Sequence, residues 1–161
     1  MHDYQPFLDR LYELTGYRFR LPTEAEWEFA ARGGNHSKGY TFSGSNDMNE
    51  VSWNAENSME GSFDEETGFP ERQVHPVRSK KPNELGIYDM SGNASEICSD
   101  WYGIYPSIPV TDPSGYKYVN ESSRRVRRGG QANKGWENRV SDRRIEEGWH
   151  DEWFWGIRLA M

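Results

Sequence analysis

The sequence predicts an α+β domain with two early helices, short strands in its last third and much irregular chain between them. Three observations carry that expectation. Helical patterning is confined to the region before Gly33, and residues 39–82 are rich in Gly, Asn, Ser and Glu with single aromatics at Tyr40, Phe42, Trp53, Phe63 and Phe69. Beyond them only Val126–Arg128 and Gly156–Leu159 read as strands. The chain has 161 residues, enough for one domain with a real core, and no linker or repeat divides it.

Taken in order, residues 4–15 place Phe7, Leu8, Leu11, Tyr12 and Leu14 on a helical stripe that Gly16 stops. A short extended piece, 17–21, follows. The second helix opens at Pro22-Thr23-Glu24-Ala25-Glu26, where Thr23 is the N-cap and Glu26 completes a capping box. Trp27, Ala30 and Ala31 form its buried face, and Gly33-Gly34 ends it. The span 59–74 reads as a loop insertion. Residues 131–155 have no clean period of 2 or 3.6, which predicts a surface loop held at both ends by strands.

Composition narrows the function classes. Only 34% of residues are apolar and mean hydropathy is −1.00, yet seven Trp, nine Tyr and seven Phe argue for an aromatic-rich core over disorder. A net charge of −7 argues against nucleic-acid binding, which needs clustered cations. The one basic cluster, Arg124, Arg125, Arg127 and Arg128, reads as flanks of an inward Val126, with the arginines solvated or paired to carboxylates. The lone Cys98 excludes an intrachain disulfide and reads as a buried, inert thiol. No apolar run reaches membrane-span length and no signal core is visible, so the expectation is a soluble chain without direct membrane insertion. His2, His36, His75 and His150 lack short ligand spacing, which argues against zinc or non-haem iron.

Four ordered blocks carry a family resemblance: RLPTEAEWEFAARGG at 20–34, GIYDMSGNASEICSDWY at 86–102, RRVRRGG at 124–130 and GIRLA at 156–160. They resemble the formylglycine-generating enzyme (sulfatase-modifying factor) family. The resemblance implies a C-type-lectin-like fold over 1–161, with two helices, a small antiparallel sheet and long loops on one face. It differs from the family at the start, where relatives carry strands before the first helix; an uncovered strand edge would then favour a homo-oligomer.

The resemblance also implies a calcium site in the GN-x-x-E block. Its ligands here would be the side chains of Asp89 and Glu96 and the carbonyls of Gly92 and Ala94, with Asn93 shaping the turn. Oxygen donors at that spacing suit a hard cation. The alternative is that Asn93 and Glu96 tie the loop through hydrogen bonds alone. A second calcium site of some relatives is doubtful because Val51 and Ser52 occupy its stretch.

The related enzymes hold copper with two thiolates to oxidise a substrate cysteine. The matching positions here are Lys134 and Arg139, cations that cannot replace soft thiolates, so no copper is expected. Ser95 stands where a Trp is common, and Gln131 where a Ser follows the RGG block. Another branch, which makes sulfur-containing histidine betaines, draws its iron ligands from a domain outside this sequence.

Four of the seven tryptophans, Trp136, Trp149, Trp153 and Trp155, fall within 131–155 among acids and arginines. Large rigid aromatics with flanking charge compose a recognition surface. Variable proteins of diversity-generating retroelements resemble the same family, lack its cysteines, and vary between an RGG block and a terminal GFRLA-like block. The resemblance therefore implies a non-catalytic domain that binds a protein ligand, displayed on a viral particle or cell surface. The candidate ligand-binding residues are Gln131, Asn133, Lys134, Trp136, Glu137, Asn138, Asp142, Arg144, Glu146, Trp149, His150, Asp151, Glu152, Trp153, Phe154 and Trp155, with Ala132 and Ile145 also among the varying positions. Arg139, Val140 and Arg143 read as framework.

Overall fold

The computed structural model describes residues 4–63, 70–113, 115–116, 120, 123–145 and 154–161, and of 60–63 and 70–72 the backbone alone. Helix α1 spans Gln5–Thr15, α2 Glu24–Ala31 and the short α3 Met48–Val51. A hairpin pairs β1 (Met59–Phe63) with β2 (Pro70–Arg72). Four further strands, β3 (Ser95–Trp101), β4 (Arg125–Arg128), β5 (Arg144–Ile145) and β6 (Trp155–Gly156), form one sheet in the order β5-β4-β3-β6.

The first two helices begin and end close to where the sequence places them, while the one-turn α3 falls within the span read as irregular. Gly16 closes α1 at φ 73°, a left-handed conformation in which a Cβ is costly. Thr23 and Glu26 form the capping box of α2, each side chain accepting from the other's backbone N–H. The arrangement around α1 differs from the expectation. Of its stripe Leu8 is buried and Leu11 half-buried, while Phe7, Tyr12 and Leu14 are exposed.

Strand β3 is the spine of the sheet. It pairs antiparallel with β4, Ile97 opposite Arg127, and parallel with β6, Glu96 opposite Gly156. The sheet is therefore mixed, not purely antiparallel: the chain returns to β3 in the same direction after the 131–155 segment, and only a parallel pair can form there. The span 59–74, expected as a loop, carries the β1–β2 hairpin within it, and the closing strand is Trp155–Gly156, not Gly156–Leu159.

The core lies between α2 and the sheet. Trp27, Ala31, Met90, Cys98, Val126 and Val140 pack together, and Trp27 is fully buried. Truncating Trp27 to Ala would cost about 3–5 kcal/mol. Cys98 is buried as the sequence predicts, and burial pushes its thiol well above the ordinary cysteine value.

Val126 is inward as the sequence predicts, and of the two outcomes expected for the flanking arginines Arg128 takes the carboxylate-paired one. Arg128 is 1% exposed and ion-pairs with Glu24 (3.4 Å) and with Glu28 of α2. Glu24 also accepts a fork from Arg143, Nε and Nη2 both at 2.8 Å, and the Tyr105 hydroxyl at 2.8 Å. Burial first, and then the hydrogen bond to Glu24, push that phenol up to about 12. This buried network clamps α2 to the sheet and to the loop after it. Among the described residues no helix is long and apolar enough to cross a membrane.

Candidate recognition face and its frame

Segment 131–145 leaves β4 through Gly129 and Gly130, both in the left-handed region at φ 91° and 71°. A Cβ on Gly130 would sit 1.9 Å from Asn138 Oδ1 and 2.7 Å from the Glu137 carbonyl. That approach lets Asn138 turn inward. Its Oδ1 accepts from Gln131 N at 2.9 Å, and its Nδ2 donates to Ser52 Oγ at 3.0 Å and to the Lys134 carbonyl at 3.3 Å. Gly92 supplies the facing space, since a Cβ there would lie 2.1 Å from both Ser52 Oγ and the Trp53 carbonyl.

The side chains of the segment divide. Gln131, Ala132, Asn138 and Val140 are buried. The Ala132 N–H donates to the Asn93 carbonyl at 2.8 Å, and its own carbonyl accepts from Ser58 Oγ at 2.6 Å. Asn133 and Lys134 are half-buried, with the Lys134 carbonyl tied to Ala55 N at 3.0 Å. Trp136 is 60% exposed, and the Arg144 guanidinium lies over its ring at 4.8 Å. Arg144 is further oriented by Asp142 at 3.2 Å and Glu137 at 3.5 Å. A guanidinium held between two carboxylates above an indole presents a preorganised aromatic and charged surface.

Gln131 and Asn138 are therefore interior, not parts of an exposed face: their backbone and amide groups satisfy the turn itself. Arg139, read as framework, is exposed. Arg143 does serve the frame, bonded to Glu24 and to the Gly103 carbonyl at 2.8 Å and lying over Tyr102 and Tyr105. Phe154 and Trp155 are half-buried, the Phe154 carbonyl accepting from Ser95 Oγ at 3.3 Å and the Trp155 ring meeting Arg127 at 5.4 Å. Glu146, Trp149, His150, Asp151, Glu152 and Trp153 lie outside the described residues.

Two of the positions at which the sequence departs from the family's usual residues, Ser95 and Gln131, meet in the interior. Gln131 Nε2 reaches Ser95 Oγ at 3.4 Å, and the cavity these residues share with Arg127, Glu137 and Arg144 holds about 10 Å³. That is room for about one water molecule. A concavity of about 940 Å³ lies between α2 and residues 101–116, and Arg143 is its lining residue from segment 131–145.

Two of the four expected calcium ligands, the Asp89 and Glu96 side chains, accept hydrogen bonds from protein donors. Glu96 is 7% exposed, and Arg158 forks onto it, Nε to Oε2 at 2.8 Å and Nη2 to Oε1 at 2.7 Å. Trp27 Nε1 also donates to Oε2, at 2.6 Å. Asp89, at φ 60°, accepts the Arg78 N–H at 2.7 Å. Burial alone would lower the pKa of Arg158, but the charges of Glu96 and Asp89 outweigh it and hold the guanidinium ionised. Among the described residues no group of three or more His, Cys, Asp or Glu side chains is placed to hold a metal. Asn93, also left-handed at φ 60°, ties the turn by exchanging hydrogen bonds with the His75 backbone at 2.8 and 3.0 Å.

The comparisons agree with this architecture. The profile of the sulfatase-modifying factor enzyme 1-like domain matches residues 4–161. Among curated proteins the chain is 39% identical over 132 residues to the chaperone protein LppX of Paenibacillus barcinonensis, covering 79% of this chain and 41% of that protein. It is 37% identical over 115 residues to the formylglycine-generating enzyme of Streptomyces coelicolor, covering 69% of this chain and 35% of that enzyme. The chain thus spans less than half the length of these relatives. Among solved structures it superposes on Treponema denticola variable protein 1 with a TM-score of 0.69 and 33% identity, covering 88% of this chain and 46% of that one. PvdO from Pseudomonas aeruginosa follows at TM-score 0.62 and 25% identity, covering 89% and 52%. The fold is the C-type-lectin-like fold of the formylglycine-generating enzymes, and the chain belongs to the sulfatase-modifying factor enzyme 1-like family.

Proposed function

We propose that this domain is a non-catalytic binding module, a retroelement-diversified variable protein that presents changeable side chains of 131–155 to a protein ligand. The observation that carries the reading is the division of segment 131–145. Its buried residues hold the turn, while Trp136 stands exposed at the rim of a half-buried charged cluster of Glu137, Asp142 and Arg144. The likeness to Treponema denticola variable protein 1 supports the same assignment. Lys134 and Arg139 at the copper-thiolate positions support a role without turnover. Residues 146–153 continue the proposed face by sequence, with Trp149 and Trp153 as its further aromatic anchors.

The test is deep sequencing of the 3′ end of the gene from its native population. The expected result is substitution concentrated at Trp136, Glu137, Asp142, Arg144 and 146–153 against invariant 86–130 and 156–161. A uniform 3′ end would remove the diversified reading. Oxidation of a cysteine-containing peptide by the purified protein with copper and oxygen would overturn the non-catalytic one.

A further inference from the structure

The concavity of about 940 Å³ between α2 and residues 101–116 has the size of a small-molecule site. Its walls are largely apolar: Phe29 from α2, Trp101 from β3, and Ile104, Ile108, Val110 and Tyr116 from the chain that follows. Walls of aromatic and branched side chains take an apolar body, and the polar groups among them decide what that body must carry.

Most of those polar groups are already committed. Glu24 holds Arg143, Arg128 and the Tyr105 hydroxyl, and Glu28 holds Arg32 and Arg128. Asp100 differs. It is 3% exposed, and its Oδ2 accepts from the Glu24 N–H at 2.9 Å and the Ser99 hydroxyl at 3.2 Å. Its Oδ1 has no partner among the described residues. Gly115, left-handed at φ 80°, is what leaves that oxygen open, since a Cβ there would lie 3.1 Å from Oδ1 and 2.7 Å from the Asp100 Cβ. Both residues line the cavity, and Asp112 adds an exposed acid to the same lining. Burial pushes the Asp100 carboxyl above its ordinary value, against the pull of its two hydrogen bonds and of Arg125. A buried carboxylate without an ion-pair partner gains most from a cation that also donates a hydrogen bond.

We propose that this cavity binds a small organic amine, its ammonium donating to Asp100 Oδ1 and its apolar body lying against Trp101, Ile108 and Tyr116. An ammonium is favoured over an anion because the arginines of the lining, Arg32 and Arg143, are both turned onto glutamates. The aromatic walls act in the same direction, since ring faces attract cations. The site lies outside the segment proposed to vary, so the assignment stands whatever 131–155 binds.

The experiment is saturation-transfer NMR of tryptamine, with indole-3-acetate as its anionic counterpart, titrated on the purified chain and on Asp100→Asn and Ile108→Lys. Tryptamine is expected to bind with a Kd of about 1 mM or tighter. Indole-3-acetate should bind about tenfold more weakly, the worth of one charge-assisted hydrogen bond. The amide oxygen of Asp100→Asn still accepts the Glu24 N–H, so α2 keeps that contact while the charge is lost. Tryptamine should then bind no better than indole-3-acetate. Ile108 is 70% exposed, so Ile108→Lys leaves the core intact and sets a cation against the ligand. It should weaken tryptamine at an unchanged melting temperature, and it decides alone if Asp100→Asn does not fold. Absence of tryptamine binding, equal binding of the two indoles, or tryptamine binding that neither substitution weakens would overturn the proposal.

Discussion

Trp136 and Asn138 sit two residues apart on one short 3-10 turn, Trp136–Asn138, and have opposite fates. The indole is 60% exposed, while the amide is fully buried and uses both its oxygen and its nitrogen. The difference lies in what surrounds each Cβ. Gly92 and Gly130 open a slot into which only a short amide fits, and nothing in the core reaches toward Trp136. A segment that presents side chains outward needs some residues turned the other way, because backbone groups inside the turn must be satisfied. Frame and face are therefore interleaved residue by residue.

That contrast can be broken from the frame side with large effects. Glu24→Ala leaves Arg128, whose side chain is fully enclosed, with Glu28 as its one remaining ionic partner and releases the Arg143 fork. Removing one member of a buried pair should cost about 3–5 kcal/mol, read from urea unfolding. Gly130→Ala forces a Cβ against Asn138 at a left-handed φ, and should cost about 1–3 kcal/mol while unseating the turn. Asn138→Ala removes the amide and leaves Gln131 N buried without its acceptor, a loss of about 1–3 kcal/mol.

From the face side the expected effect on stability is small. Trp136→Ala should change unfolding by less than about 0.5 kcal/mol, as exposed substitutions do. A melting temperature as depressed as that of Asn138→Ala would place Trp136 in the frame. The smallest effect lies far from the segment, at the start of α2. There the Arg20 guanidinium, bonded to both oxygens of Glu26, holds that carboxyl down at about 2. A depressed acid stabilises above its ordinary pKa and loses that contribution as pH falls through about 2. Both partners are nearly half exposed, so solvent screens the gain; Arg20→Met should flatten only the acid limb of a melting-temperature curve.

Much of the frame was legible in the sequence. The capping box, the Gly16 stop, Trp27 and Ala31 in the core, inward Val126 and buried Cys98 all follow from local patterns with a local mechanism. What escaped depends on contacts across the chain. Strand β3 lies inside a block whose Gly, Asn and Ser read as turn, and its partners β4 and β6 arrive about thirty and sixty residues later. Gln131 and Asn138 read as adaptable polar residues of a binding loop; only the close approach at Gly92 and Gly130 turns them into interior struts. The two glycines were the available signal, since a Gly pair directly before a polar segment often marks such an approach. Glu96 likewise finds its partner Arg158 sixty-two residues on, a pairing that no local pattern announces.

The most direct measurement is saturation mutagenesis of residues 131–145 on a display platform, scored by resistance to protease and requiring no ligand. The account predicts broad tolerance at Trp136, Glu137, Asp142 and Arg144, and intolerance at Ala132, Asn138, Val140 and Arg143. Equal tolerance across the segment, or intolerance centred on Trp136 and Arg144, would contradict the division between frame and face.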